Sequence, residues 1–210
     1  MYIPEHFRMP DEDVQAFLQV VRGGNLVTVD ETGRPQATFL PWVVSDECLV
    51  SHIGTVNPQS RHTGEALVVF MGDDAYISDE WMDGVTAPTW DYETVHVYGR
   101  YRTHTDLDWI LDSWSDLLER FSNCTLDEYD PAWLEIQSRS VVGIEIAITE
   151  IHAKSKLSQN RTEHEARSII DHLTPACPHL ASRMTDVSLP HIAAREEKVR
   201  DIRRSHSKPA

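Results

Sequence analysis

The chain has 210 residues and a formal net charge of −15. That length fits one large or two small domains with a sizeable core, and the acidity opposes a phosphate backbone, so direct nucleic-acid binding is not expected. Cys48, Cys124 and Cys177 are odd in number and far apart, which argues against a disulfide framework or a thiolate zinc cluster and favours a reducing cytoplasm.

No charged leader precedes an apolar stretch, and no run approaches the ~18 apolar residues that span a bilayer, so no membrane association is expected. In chain order, Asp11 precedes Val14, Phe17, Leu18 and Val21 at helical spacing, and Gly23 with Gly24 stops that first helix. Five β-rich runs follow, over 25–30, 36–44, 48–53, 66–71 and 95–104, broken by turn residues such as Asn57-Pro58. Short strands at this spacing indicate a barrel.

Residues 106–121 carry Leu107, Ile110, Leu111, Trp114, Leu117 and Leu118 on one stripe and predict the clearest helix. Ile144, Ile146 and Ile148 alternate with Glu145, Ala147 and Thr149 in a half-buried closing strand over 141–151. Helical patterns return after residue 161, interrupted at Pro175 and Pro178. The terminal basic group of Arg195, Lys198, Arg200, Arg203, Arg204 and Lys208 is interleaved with acids and reads as a solvated helix. A domain over 1–172 and a helical extension over 173–210 are expected.

The stretch APTWDYETVHVYG, residues 87–99, concentrates Trp90, Asp91, Tyr92, His96 and Tyr98 between a proline turn and a glycine. A cofactor pocket uses such residues; a strand packed on a core, with His96 satisfied by backbone, accounts for them equally. Together with MYIPEHF (1–7), GDDAYIS (72–78) and SKLSQNR (155–161), it resembles the PaiB family of split-barrel, flavin-type proteins over roughly residues 1–172.

That resemblance implies an α+β fold with a six-stranded antiparallel split barrel, flanking helices and a C-terminal helical extension. It implies a homodimer with FMN, or a replacement cofactor, near the subunit interface. The cofactor contacts it suggests are His52, Thr55, Asn57, Trp90, His96, Lys156, Gln159 and Arg161. Thr55 stands where relatives carry an arginine, and Asp91 where they carry an asparagine, which removes flavin-phosphate features. Ser60-Arg61-His62 adds an imidazole and a guanidinium beside the cofactor loop.

These departures resemble the haem-binding branch, in which piperazate synthases close N5-hydroxyornithine into a ring by forming an N–N bond. The expectation is therefore a haem b enzyme acting on a small-molecule substrate. His62 would be the iron ligand, ahead of His52 and His96. Asp91 and Tyr92 would handle protons, and Arg61 would hold a propionate or the substrate carboxylate. The alternatives are an FMN-binding PaiB-type negative transcriptional regulator and a flavin-dependent oxidoreductase.

More ordinary readings compete residue by residue. On these readings His62 ends a short helix after Asn57-Pro58, His52 and His96 sit among apolar neighbours as core histidines do, and SKLSQNR leads into a helix capped at Asn160 or Thr162 with Glu165. Trp42, Trp81 and Trp109 read as packing residues.

Overall fold

The computed structural model describes residues 1–206, so Lys208 lies outside the described residues. Seven strands form one antiparallel sheet in the order β2-β1-β5-β6-β7-β4-β3. They are β1 (Gly23–Val29), β2 (Pro35–Pro41), β3 (Val43–Val44), β4 (Cys48–Gly54), β5 (Gly64–Ile77), β6 (Thr89–His104) and β7 (Val141–Lys156).

The expected count of six is corrected by the chain at Trp42. The 36–44 run breaks there into β2, which pairs with β1, and β3, which pairs with β4. The Trp42 side chain is fully buried, and its indole Nε1–H donates to the Gly24 carbonyl at 3.2 Å. Anchoring this side chain in the core accompanies the change of pairing partner.

The helices are α1 (Asp11–Val20), α2 (Leu107–Phe121), α3 (Pro131–Ser138), α4 (Glu163–Leu173), α5 (Pro178–Arg183) and α6 (Leu189–His206). A π-helical turn over Met184–Ser188 joins α5 and α6. Among the described residues no helix is long and apolar enough to cross a membrane. α3 was not expected from the sequence, although its start follows a plain rule: Asp130 accepts from the amides of Ala132 and Trp133, and Pro131 fills the first position. α4 begins with the Thr162–Glu165 capping box.

The chain divides into two compact units, the first comprising Met1, 11–71 and 95–152, and the second the remainder. The 172/173 boundary expected from the sequence falls inside α4. In the first unit the buried set includes Leu18, Leu26, Leu49, Val68, Phe70, Val97, Ile144 and Ile146. Gly143 is part of that packing, because a Cβ there would lie 2.0 Å from the Trp109 ring, which itself stacks on His104 at 4.0 Å between centroids. The second unit has its own core of Ala75, Ile77, Met82, Leu157, Ile169, Leu173, Leu180, Ala181 and Met184. The C-terminal helices thus complete a core with strand residues.

Candidate functional site

In the first unit, the loop after β4 tightens into a 3-10 turn over Pro58–Arg61, because Asn57 caps it by accepting from the Gln59 amide at 2.9 Å. Gln59 is buried and sits at the centre of a directed hydrogen-bond chain. Asn57 Nδ2 donates to the Thr38 hydroxyl at 3.2 Å, and that hydroxyl donates to Gln59 Oε1. On the far side, Gln59 Nε2 donates to Thr28 Oγ1 at 3.0 Å, and Thr28 Oγ1 lies 2.5 Å from His62 Nδ1.

The proton order follows from donor counting. Thr28 is buried and already accepts from Gln59, so its own hydroxyl proton has one acceptor within reach, the lone pair of His62 Nδ1. Neutral His62 is therefore the tautomer with its proton on Nε2, and its free nitrogen is a donor. An imidazole that ligates a metal presents the opposite arrangement.

The expected phosphate contacts of this loop are corrected on the same accounting. The amides of Thr55, Asn57, Gln59, Ser60 and His62 donate to Ser140 O, Gly54 O, Asn57 Oδ1, Asn57 O and Gln59 O, respectively. Asn57 spends both ends of its side chain on protein partners, Gln59 N in the loop and Thr38 Oγ1 in β2. These donors are unavailable to an anion, while the Arg61 guanidinium is exposed and the Thr55 side chain is partly exposed.

Beside the loop, Tyr101 anchors β6 by donating its buried hydroxyl to the Gln59 carbonyl at 2.8 Å. Burial pushes the Tyr101 phenol well up, so it stays protonated. Strand alternation then turns Arg100 and Arg102 to the opposite, exposed face. They line a cleft of about 560 Å³ with Glu65, Gly99 and Thr149. Arg102 reaches Glu145 at 3.4 Å, while Arg100 has no protein partner among the described residues. The alternation in GRYRT was the signal in the sequence for these two arginines.

His52 and His96 keep a buried Nδ1 with no partner among the described residues. Burial lowers both pKa values; at His96 the Met1 amine and His152 add to the effect. His52 lies edge-on to Trp114, with ring centroids 6.0 Å apart. Near His96, His152 receives the Met1 amine at 3.1 Å and packs on Tyr98.

The second unit brings together Asp91, Lys156, Gln159 and Arg161, in a network that leaves little for a ligand. Asp91 is fully buried, accepting from Ser158 Oγ at 2.6 Å and Lys156 Nζ at 3.2 Å. Burial raises its pKa, against the pull of Ser158, Lys156 and Arg161. Lys156 also donates to Thr89 Oγ1 at 2.7 Å and to the Trp90 carbonyl, and Arg161 donates to Thr86 Oγ1 at 2.8 Å.

Gln159 closes its own loop by accepting from Leu157 N and donating to Ser155 O, and Ser158 holds a left-handed φ of 61°. Next to it Glu93 accepts from Ser155 and takes two bonds of 3.0 Å from Arg183 of α5, while Arg195 of α6 donates to the carbonyls of Gln159 and Arg161. SKLSQNR thus clamps the C-terminal helices to the strands.

Tyr92 is half-buried under the Lys154 ammonium at 5.3 Å, and Trp90 donates to Asp74 at 2.6 Å. Of the expected acid–base and substrate group, Asp91 and Tyr92 belong to the second unit and Arg61 to the first. Of the residues proposed for proton handling, Asp91 has no solvent-exposed surface. Among the described residues, no three His, Cys, Asp or Glu side chains are grouped to hold a metal ion.

Comparison with known proteins adds the family. Residues 1–150 match the family described as "Putative FMN-binding domain". The chain belongs to this family. It is 34% identical over 204 residues, 89% of its length, to the protease synthase and sporulation protein PAI 2 of Bacillus subtilis, covering 97% of that protein. An uncharacterized protein of Saccharomyces cerevisiae is 36% identical over 98 residues, 40% of this chain and 58% of that one.

Among solved structures, a conserved hypothetical protein of Mycobacterium tuberculosis superposes with a TM-score of 0.58 at 15% identity, covering 74% of this chain and 91% of that one. The FAD and haem binding protein of Mycobacterium smegmatis also gives 0.58, at 16% identity, over 72% of this chain and 74% of that one. At such identities these likenesses concern the fold alone, which resembles FMN-binding split barrels.

Proposed function

We propose that this PaiB-family member is an FMN-binding protein whose cofactor lies on the first unit. Its phosphate is taken by Arg100 and Arg102, and its ring acceptors are met by His62 Nε2–H and Arg61. The observation that carries this reading is Arg100, exposed and without a protein partner among the described residues, at a cleft it shares with Arg102. Phosphate and flavin carbonyls are acceptors, which such donors fit. FMN, when bound, supplies electron-transfer chemistry at its ring. The chain's own part is to bind and orient it, with Gln59 holding His62 in its donor tautomer.

The B. subtilis relative is named for protease synthesis and sporulation. We therefore infer a regulatory role exerted through a small molecule or a protein partner, since a net charge of −15 opposes operator contact. We also infer that β2 and β3, the ends of the strand order joined through Trp42, close the sheet into a split barrel. A homodimer is supported by exposed Val29, Phe39 and Met71, apolar residues that a second copy would cover.

The second reading is haem b, with formation of piperazate as its finer form. It is favoured by the unpartnered imidazole nitrogens of His52 and His96 and by the fold shared with a FAD and haem binding protein. On this reading the iron ligand is His52 or His96 in place of His62. Absorption spectra of the protein purified from cells supplied with iron and a haem precursor separate the two. Flavin bands lost in Arg100→Ala support the proposal, whereas a Soret band with no flavin overturns it and leads to assay of N5-hydroxyornithine.

A further inference from the structure

Lys154 and Lys156 lie two residues apart on β7 and meet opposite surroundings. The three N–H donors of Lys156 are taken by Thr89 Oγ1, the Trp90 carbonyl and Asp91 Oδ1. The Lys154 ammonium has no hydrogen-bond or ion-pair partner among the described residues, and lies instead over two aromatic rings of the second unit, 5.3 Å from the centre of Tyr92 and 5.8 Å from that of Phe7. An aromatic face attracts a cation without neutralising its charge or accepting its N–H bonds as an oxygen would. In a chain with 34 Asp and Glu against 19 Lys and Arg, a half-buried lysine that meets no carboxylate calls for a reason.

The local fold sets this arrangement. Strand alternation buries Ala153 and Ser155 on one side of β7 and turns Lys154 to the other, and on β6 it buries Asp91 and Glu93 while leaving Tyr92 partly exposed. The amino-terminal segment runs beside β7, with Met9 N donating to the Ala153 carbonyl at 3.3 Å and Arg8 bridging to Lys154. That course brings Phe7, in the 3-10 turn Glu5–Phe7, under the ammonium. Glu5, the acid of that turn, faces Arg8 at 3.7 Å. Lys154 Nζ and Tyr92 Oη, unlike the unpartnered ring nitrogens of His52 and His96, keep accessible surface, so a ligand can reach them.

We propose that Lys154 and Tyr92 form a binding site for the carboxylate of a small organic acid, which pairs with the ammonium and accepts from the phenol. A carboxylate brings one negative charge to one unpaired cation. A phosphate dianion would bring a second charge that neither residue compensates, in a chain already at −15, and a neutral amide would leave the cation without a counter-charge. The site belongs to the second unit and does not rest on the flavin reading. It gives the chain a small-molecule input apart from the Arg100 cleft.

The test follows the ε-carbon signals of the four lysines by carbon-13 NMR of the full chain, at pH 7.5 and constant ionic strength, during titration with sodium benzoate and with its neutral analogue benzamide. The signal missing from Lys154→Met identifies Lys154. The proposal predicts a saturable shift of that signal with benzoate and none with benzamide, while the paired Lys156 and the exposed Lys198 stay in place. Tyr92→Phe should weaken benzoate binding about tenfold, the size of one hydrogen bond to a charged group. Lys154→Met should abolish it, and Lys154→Arg, which keeps the charge, should retain it. Equal shifts with both probes, shifts shared by all four lysines, or benzoate binding that survives Lys154→Met or is undiminished in Tyr92→Phe overturns the proposal. Thermal unfolding checks that each variant is folded.

Discussion

Two buried polar networks, one in each unit, solve the same problem by different means. Around Gln59 the chain of Asn57, Thr38, Gln59, Thr28 and His62 uses neutral amides, hydroxyls and an imidazole, each proton having one direction. Around Asp91 and Glu93 the network is ionic, with Lys156, Arg183 and Arg195 consumed by carboxylates and carbonyls. The neutral chain ends on the partly exposed imidazole of His62. The ionic lattice ends on itself and fastens helices. A function that needs an available hydrogen bond belongs with the first, and fold integrity with the second.

The largest expected effect breaks the ionic side. Arg183→Ala leaves Glu93 buried without its cation, and loss of one partner of a buried pair costs about 3–5 kcal/mol; because Arg183 is partly exposed, the lower end is expected in chemical denaturation. Gln59→Leu breaks the neutral side, stranding Thr28, Thr38 and the Leu26 and Gln36 carbonyls. About 1–3 kcal/mol for an unsatisfied buried group is expected. The same variant frees the His62 tautomer, so nitrogen-15 imidazole spectra should lose the single Nε2–H form, a change that structural weakening alone would not cause.

Arg100→Ala sharpens the comparison from the other direction. The side chain is exposed and unpaired, so stability should stay within about 0.5 kcal/mol while FMN affinity falls about tenfold or more through loss of a charge-assisted contact. A smaller effect comes from pH. Burial lowers the pKa values of His52 and His96 below the ordinary 6.5, so the unfolded chain takes up protons first. Stability is full above 6.5 and declines as pH falls through the depressed folded values. His52→Phe should flatten part of that decline in unfolding midpoints measured from pH 7.5 to 5. The exposed turn at Asp30, whose carboxyl is held at about 2 by Thr32 and Arg34, loses its contribution only as pH drops from the ordinary 3.8 toward 2.

Much of the fold was legible in the sequence. Period-two runs located β1, β4 and β7, a wide apolar stripe located α2, and the Thr162–Glu165 box located the start of α4. The extra strand was hidden because a bend at a buried tryptophan leaves the local β pattern intact on both sides. β5 and β6 run further than expected, through GDDAYI and TWDYET, because Ala75 and Ile77 keep buried positions at the end of β5, and in β6 Asp91 and Glu93 find buried partners. The site was less legible. Asp91 and Lys156 look reactive in a list of residue types, and only three-dimensional pairing reveals them as a closed ion pair. The role of His62 depends on which neighbour owns a proton, which residue types alone do not encode, while Arg100 and Arg102 were open to strand periodicity.

The central claim is that the donor-rich cleft of the first unit holds FMN. It is tested most directly by titrating the apoprotein and Arg100→Ala side by side with FMN and following flavin absorption and fluorescence. Saturable binding by the native chain, weakened about tenfold or more in the variant at unchanged stability, is the result expected. No binding by the native chain, or equal binding by both, would contradict it.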